Sequence, residues 1–197
     1  MGILGGTFNP PHVGHLVCAS EARWQLELDR VVLMPVSRPP HKRLEADPGI
    51  ERRLAMCAAA VAGEAGLEVS RVEADRPGAS YTVDTLRELH AQSPEHLLTF
   101  LVGGDMAHSF PAWREPAAVL ELAELGVAER EGLARADIVD RLRTVPGGEK
   151  RVRFFDMPRI DVSSSMLRRR VAEGRPVRHL VPDGVAAYIA AQGLYPA

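Results

Sequence analysis

Within the opening segment GGTFNPPHVGH, two histidines, His12 and His15, follow a glycine pair, Gly5 and Gly6, and a rigid Asn9-Pro10-Pro11 step. Proline fixes φ and carries no N–H, so the step stiffens a turn between the apolar pair Ile3 and Leu4 and a helical pattern beginning at Val13. Residues three apart share a helical face, which sets His12 and His15 side by side in the first turn, over the positive end of the helix dipole. Glycines at the end of a strand let a phosphate approach the backbone, and open α/β sheets place ligands at that end. The chemistry this arrangement suits is phosphate binding. A metal is the weaker reading: no third ligand lies at suggestive spacing, and an electropositive helix start favours an anion. No protein-held metal is expected.

Such residues need a scaffold, and the rest of the chain reads as one. Short apolar runs at residues 3–4, 31–34, 67–72, 97–102, 125–128 and 152–155 alternate with helical patterns at 13–25, 50–62, 82–91, 133–143, 164–173 and 185–192. That alternation predicts an α/β fold, a doubly wound, mostly parallel, Rossmann-like sheet with crossover helices. Val13, Leu16, Val17, Ser20 and Trp24 fall at helical spacing and are expected to form the sheet-facing stripe of the first helix. Residues 35–48, with four prolines and four basic side chains, read as a long functional loop that is mobile without ligand. A last helix starting near Pro182 and stopping at Gly193 reads as a small C-terminal cap. The expected organisation is a single domain over 1–197, whose helical subregion from about 160 to 197 carries a second nucleotide motif.

A chain of 197 residues can bury a full core. Its formal net charge of −2 argues against a protein that coats nucleic acid. The basic residues are nonetheless clustered, Arg38, His41, Lys42 and Arg43 in one group and Arg168, Arg169 and Arg170 in another, and either could meet a small anion or simply be a solvated face. No apolar run has membrane-spanning length and no signal peptide opens the chain, so a cytoplasmic protein with no membrane partner is expected. Cys18 and Cys57 lie inside apolar helical patterns and read as buried thiols.

GGTFNPPHVGH is similar to the signature of the H-x-G-H nucleotidyltransferases, and specifically resembles that of the bacterial nicotinate-mononucleotide adenylyltransferase family. VSSSMLR at 162–168 resembles that family's second signature, with Ser165 where a threonine is usual. SYTVDTL at 80–86, the LVGGD stretch ending at Asp105 and the closing VPDGVAAYIAAQGLY resemble further segments of the same branch, in order along nearly the whole chain. Asn9 stands where many relatives carry Asp.

The resemblance implies an adenylyltransferase with ATP and nicotinate mononucleotide as substrates and Mg²⁺ entering with ATP. It implies ATP contacts from Gly5, Gly6, Thr7, Phe8, His41, Lys42, Gly103, Asp105, Ser164 and Arg168, with His12 and His15 as the catalytic pair. The mononucleotide would be met by Thr82, Asp84, Trp113, Arg114 and Arg130. Thr82 would offer a helix-start N–H to a carboxylate, and Trp113 a flat face for the pyridine ring. Asp84 reads equally well as a solvated acid, and Trp113 as core. Arg114 stands where better-known relatives often carry an aromatic residue. Nicotinamide mononucleotide as acceptor, and a nucleotide-binding regulator of the same fold, stay open. A phosphopantetheine acceptor is disfavoured by His12, and a tRNA-linked role by the missing lysine-rich loop and added domains. A homo-oligomer is neither required nor excluded.

Overall fold

The computed structural model describes residues 1–39, 44–129 and 134–197. Six strands, β1 (Gly2–Gly6), β2 (Val31–Pro35), β3 (Leu67–Val69), β4 (Leu98–Gly103), β5 (Ala123–Glu129) and β6 (Val152–Asp156), form one sheet in the order β3-β2-β1-β4-β5-β6. Every neighbouring pair is parallel. The order reverses between β1 and β4, so a crevice opens at the carboxyl ends of those two strands, where this class of sheet binds ligands.

Alternation along each strand divides the core between two faces. Ile3, Phe100, Val102, Leu125 and Val127 pack with residues of α4 (Thr82–Gln92), α5 (Gly104–Ser109), α6 (Pro116–Leu122) and α7 (Arg135–Leu142). Leu4, Leu33, Leu101 and Ala128 pack on the other face with α1 (Val13–Gln25) and α2 (Ile50–Val61). A third apolar cluster joins Met56 and Ala60 of α2 to Leu167 of α8 (Ser164–Ala172) and to Val185 and Ile189 of α9 (Asp183–Ala191). Each of the larger buried side chains here, Met56, Leu167, Val185 and Ile189, stabilises the fold by roughly 1.5–3 kcal/mol, which seats the C-terminal helices firmly on α2.

Three expectations need correction. The third strand ends at Val69 instead of 72, because Val72 opens a short helix, α3 (Val72–Asp75), whose entry is turned by the Ser70 hydroxyl accepting the Val72 N–H at 3.2 Å. The fourth strand starts at Leu98; Leu97 is exposed, its carbonyl accepting from the Met1 ammonium at 2.7 Å. The buried face of α1 is Gly14, Ala19 and Ala22, while Ser20 and Trp24 are exposed. Small side chains let the helix lie close to the sheet beside the crevice, and the large indole is turned out. The same rotation leaves Cys18 half-buried, in contrast to fully buried Cys57, whose thiol burial pushes up to about 12. The predicted helices at 50–62, 82–91, 164–173 and 185–192 are present with ends moved by one or two residues. Of the 133–143 helix, residues 135–142 are helical and residue 133 lies outside the described residues.

Candidate active site

The turn after β1 is built backwards from the helix it feeds. His12 is the N-cap of α1 and His15 its third residue, and the His12 backbone N–H donates to His15 Nδ1 at 3.1 Å. The two rings stack with centroids 3.8 Å apart. Because Nδ1 of His15 accepts, neutral His15 carries its proton on Nε2, which makes that atom a donor on a ring oriented by the helix start itself. Phe8 also meets that ring: its buried side chain lies edge-on to the imidazole at 4.9 Å, and its φ of 46° lies in the left-handed region. A Cβ on Gly6 would stand 3.0 Å from the Phe8 ring, and one on Gly14 would stand 3.1 Å from the His12 imidazole. Glycine therefore relieves close contacts at both positions, with the Phe8 ring at Gly6 and with the His12 ring at Gly14.

The second signature folds over this turn. Ser163 caps α8 by accepting the Met166 N–H. Ser164 Oγ then donates to the Pro10 carbonyl at 2.8 Å, and Arg168 Nη1 donates to the Asn9 carbonyl at 3.0 Å. Arg168 Nη2 also lies 3.6 Å from the Glu45 carboxylate. Ser164 and Arg168 are thus brought to the His12 turn as expected, although they grip its carbonyls.

Sequence reasoning missed Arg53. Its side chain is 1% exposed, and its guanidinium donates to the carbonyls of Thr7 at 3.0 Å, Val36 at 2.7 Å and Ser37 at 3.4 Å while pairing with Asp47 at 2.9 Å. A single fork thereby ties the loop after β1 to the loop after β2. Nothing local marks it, since an arginine beside Arg52 in a helix ordinarily reads as one of two solvated residues.

On the acceptor side, a cavity of about 270 Å³ is lined by Gly5, His15, Thr82, Gly103 and Trp113, with Glu73 in its wall. Thr82 is the first residue of α4, where the N–H has no carbonyl one turn back within the helix. The Trp113 indole is half-buried, held edge-on to Phe100 at 5.9 Å and tilted against Phe110 at 5.2 Å. The side chains of Asp84 and Arg114 pair with one another at 3.6 Å and Arg114 lies 4.6 Å over the Tyr81 ring; the cavity wall itself is made by their chain neighbours Thr82 and Trp113. Asp105 is exposed in the first turn of α5. His41, Lys42 and Arg130 lie outside the described residues.

Glu73, also missed, is 7% exposed; its Oε1 accepts from Thr85 Oγ1 at 2.8 Å and its Oε2 has no hydrogen-bond partner of good geometry among the described residues. Burial raises its pKa, with the Thr85 and Ser80 hydroxyls, Arg76 and the Ser37 backbone opposing. A carboxyl whose folded pKa is raised takes stability away as pH climbs from the unfolded value through the folded one. Glu73→Gln, which keeps an acceptor for Thr85, is therefore expected to raise Tm more at pH 8 than at pH 4. Melting curves at the two pH values check this, and a pH-independent difference would contradict it.

Among the described residues no group of three His, Cys, Asp or Glu side chains could hold a metal ion, and no helix is long and apolar enough to cross a membrane. The arrangement sets the His12–His15 pair at the β1 turn and the Trp113 indole in the wall of one cavity at the carboxyl end of the sheet. Comparison with known proteins agrees with it. The cytidylyltransferase-like family model matches residues 3–170. The probable nicotinate-nucleotide adenylyltransferase of Roseiflexus sp. (strain RS-1) is 46% identical over 195 residues, covering 99% of this chain and 97% of its own length. That of Thermomicrobium roseum is 43% identical, covering 99% and 91%. The Plasmodium falciparum nicotinic acid mononucleotide adenylyltransferase complexed with NaAD has a TM-score of 0.78 at 16% identity, covering 98% of this chain and 96% of its own, a likeness of fold. The family match and these identities define a nucleotidyltransferase. The chain belongs to the cytidylyltransferase-like family and, within it, to the nicotinate-nucleotide adenylyltransferases.

Proposed function

We propose that this chain transfers the adenylyl group of ATP to nicotinate mononucleotide, giving nicotinate adenine dinucleotide and pyrophosphate, a step of NAD biosynthesis. The observation that carries the reading is the cavity in which His15 and Gly5 share walls with Thr82 and Trp113. A phosphate oxygen of the mononucleotide attacks the α-phosphorus of ATP, the bond to the β-phosphate oxygen breaks, and its electron pair leaves with pyrophosphate. No covalent enzyme intermediate is needed; positioning and charge stabilisation suffice.

In this reading Gly5, Gly6 and Gly103 admit the nucleotide to the strand ends, and His12, His15, the helix-start N–H of Ser164 and the remaining guanidinium N–H groups of Arg168 donate to its phosphates. His15 Nε2–H meets the charge that develops at the α-phosphate. Mg²⁺ would enter with ATP as part of the substrate and would supply charge neutralisation at its phosphates, in keeping with a cation that keeps its waters and takes substrate phosphates in preference to dedicated protein cages. The Trp113 face and the Thr82 N–H take the pyridine and its carboxylate, and residues 1–197 act as one domain. Thr7 and Phe8 support the site through backbone and packing, and the Asp84–Arg114 pair braces the start of α4 from outside. His41, Lys42 and Arg130 remain proposed phosphate contacts.

A second reading, nicotinamide mononucleotide as acceptor, draws on Glu73: a buried carboxylate in the cavity wall suits an amide N–H donor better than a carboxylate. The test of the reaction is product analysis with ATP, Mg²⁺ and nicotinate mononucleotide. Dinucleotide and pyrophosphate should appear in equal amounts, and the absence of both would remove adenylyl transfer.

A further inference from the structure

Asn9 is 3% exposed and saturated with contacts from three parts of the chain. Its Oδ1 accepts the Tyr195 hydroxyl at 2.7 Å. That bond orients the amide so that Nδ2 faces the Glu45 carbonyl at 3.0 Å and the Ala46 carbonyl at 3.4 Å. Its own carbonyl receives Arg168, and the next carbonyl, of Pro10, receives Ser164. Tyr195 is delivered from the far end of the chain. After α9 the backbone reverses at Gly193, with φ of 56°, and the Leu194 N–H bonds to the Ile189 carbonyl at 3.1 Å. Tyr195, itself at φ 59°, then buries its ring with its hydroxyl 3.8 Å from Met56 Sδ, and burial keeps the hydroxyl protonated as a donor.

We infer that Tyr195 and Asn9 are positioning residues for the ATP phosphate site, the C-terminal tail acting as a latch that sets the Asn9 amide and thereby the turn gripped by Ser164 and Arg168. The donor end of the amide is the distinctive part. An aspartate at this position would accept from Tyr195 equally well but would present lone pairs to the Glu45 and Ala46 carbonyls, where only a donor is tolerated. In this chain the loop after β2 is therefore fastened to the β1 turn by a neutral amide, and the tail fixes which way that amide points.

The inference rests on the proposed assignment of ATP to this turn, and binding separates the two. Calorimetry with the non-hydrolysable analogue α,β-methylene-ATP and Mg²⁺ on the full chain should show Tyr195→Phe weakening Kd about 5-fold, the scale of losing one buried hydrogen bond. The KM for the mononucleotide should be nearly unchanged, while the Tm should fall by a few degrees because Asn9 Oδ1 is left buried without its donor. Asn9→Asp should weaken analogue binding further, and adding Tyr195→Phe to it should have less than the additive effect, because both act through one amide. Wild-type Kd in Tyr195→Phe, equal changes in both substrates' constants, or strictly additive variants would each overturn the latch. Failure of the wild type to bind the analogue at all would instead remove ATP from this turn, and the latch with it.

Discussion

His15→Ala is expected to lower turnover by about 10²-fold or more, the scale of losing one donor to a transition-state oxyanion, while leaving the fold intact. The reasoning is geometric. Nδ1 of His15 is occupied by the His12 N–H and the ring is held against His12 and Phe8, so Nε2–H is a pre-oriented donor on a residue that lines the cavity shared with Thr82 and Trp113. Alanine removes that donor and one surface of the stack. The accompanying loss of a backbone-to-ring hydrogen bond costs only about 1 kcal/mol, so the effect should appear in kcat with little change in Tm. Steady-state rates beside a melting curve check it. Near-normal turnover would take His15 out of the mechanism.

Arg53→Met is expected to have the largest effect on stability, about 3 kcal/mol, the lower end of the range for breaking a buried pair by removing one partner. The lower end applies because Asp47 remains partly exposed and can be rehydrated, whereas the carbonyls of Thr7 and Val36 would be left facing a hydrophobic side chain. Urea unfolding of the variant measures it, and a loss below about 1 kcal/mol would show that the guanidinium is not the tie between the two loops. Activity should fall as well at temperatures where the variant stays folded, since the carbonyl of Thr7 lies in the turn that carries the histidines.

The parts of the site legible in the sequence are those written in local chemistry. The glycine pair, the double proline and the two histidines follow one another along the chain, and strand, turn and helix start can be read from their order alone. Trp113 and Thr82 reach the same cavity because α4 starts in the crossover from β3 to β4 and Trp113 follows α5 just after β4, which puts both at the carboxyl end of the sheet beside β1. What is not legible depends on partners far apart in sequence. Arg53 and Glu73 look like solvated charges until carbonyls from two loops, or the hydroxyl of Thr85, surround them. Trp24 reads as core because helical spacing cannot tell which of two adjoining faces meets the sheet, and the narrow face of Gly14, Ala19 and Ala22 wins on closeness of approach. Helices α3, α5 and α6 are of seven residues or fewer and too short to show a period. Asp84 and Arg114 read as ligand contacts by resemblance, and the ion pair between their side chains, formed across 30 residues, is a partnership that local sequence does not show.

Nicotinate mononucleotide as the acceptor is tested most directly by kcat/KM measured on that compound and on nicotinamide mononucleotide, with ATP and Mg²⁺ saturating. A preference for the acid of at least about 10-fold is predicted, the discrimination expected when a site built to hydrogen-bond one group meets its isostere. Equal values, or a preference for the amide, would contradict it and would make the Glu73 carboxylate, in place of the Thr82 N–H, the group that meets the pyridine substituent.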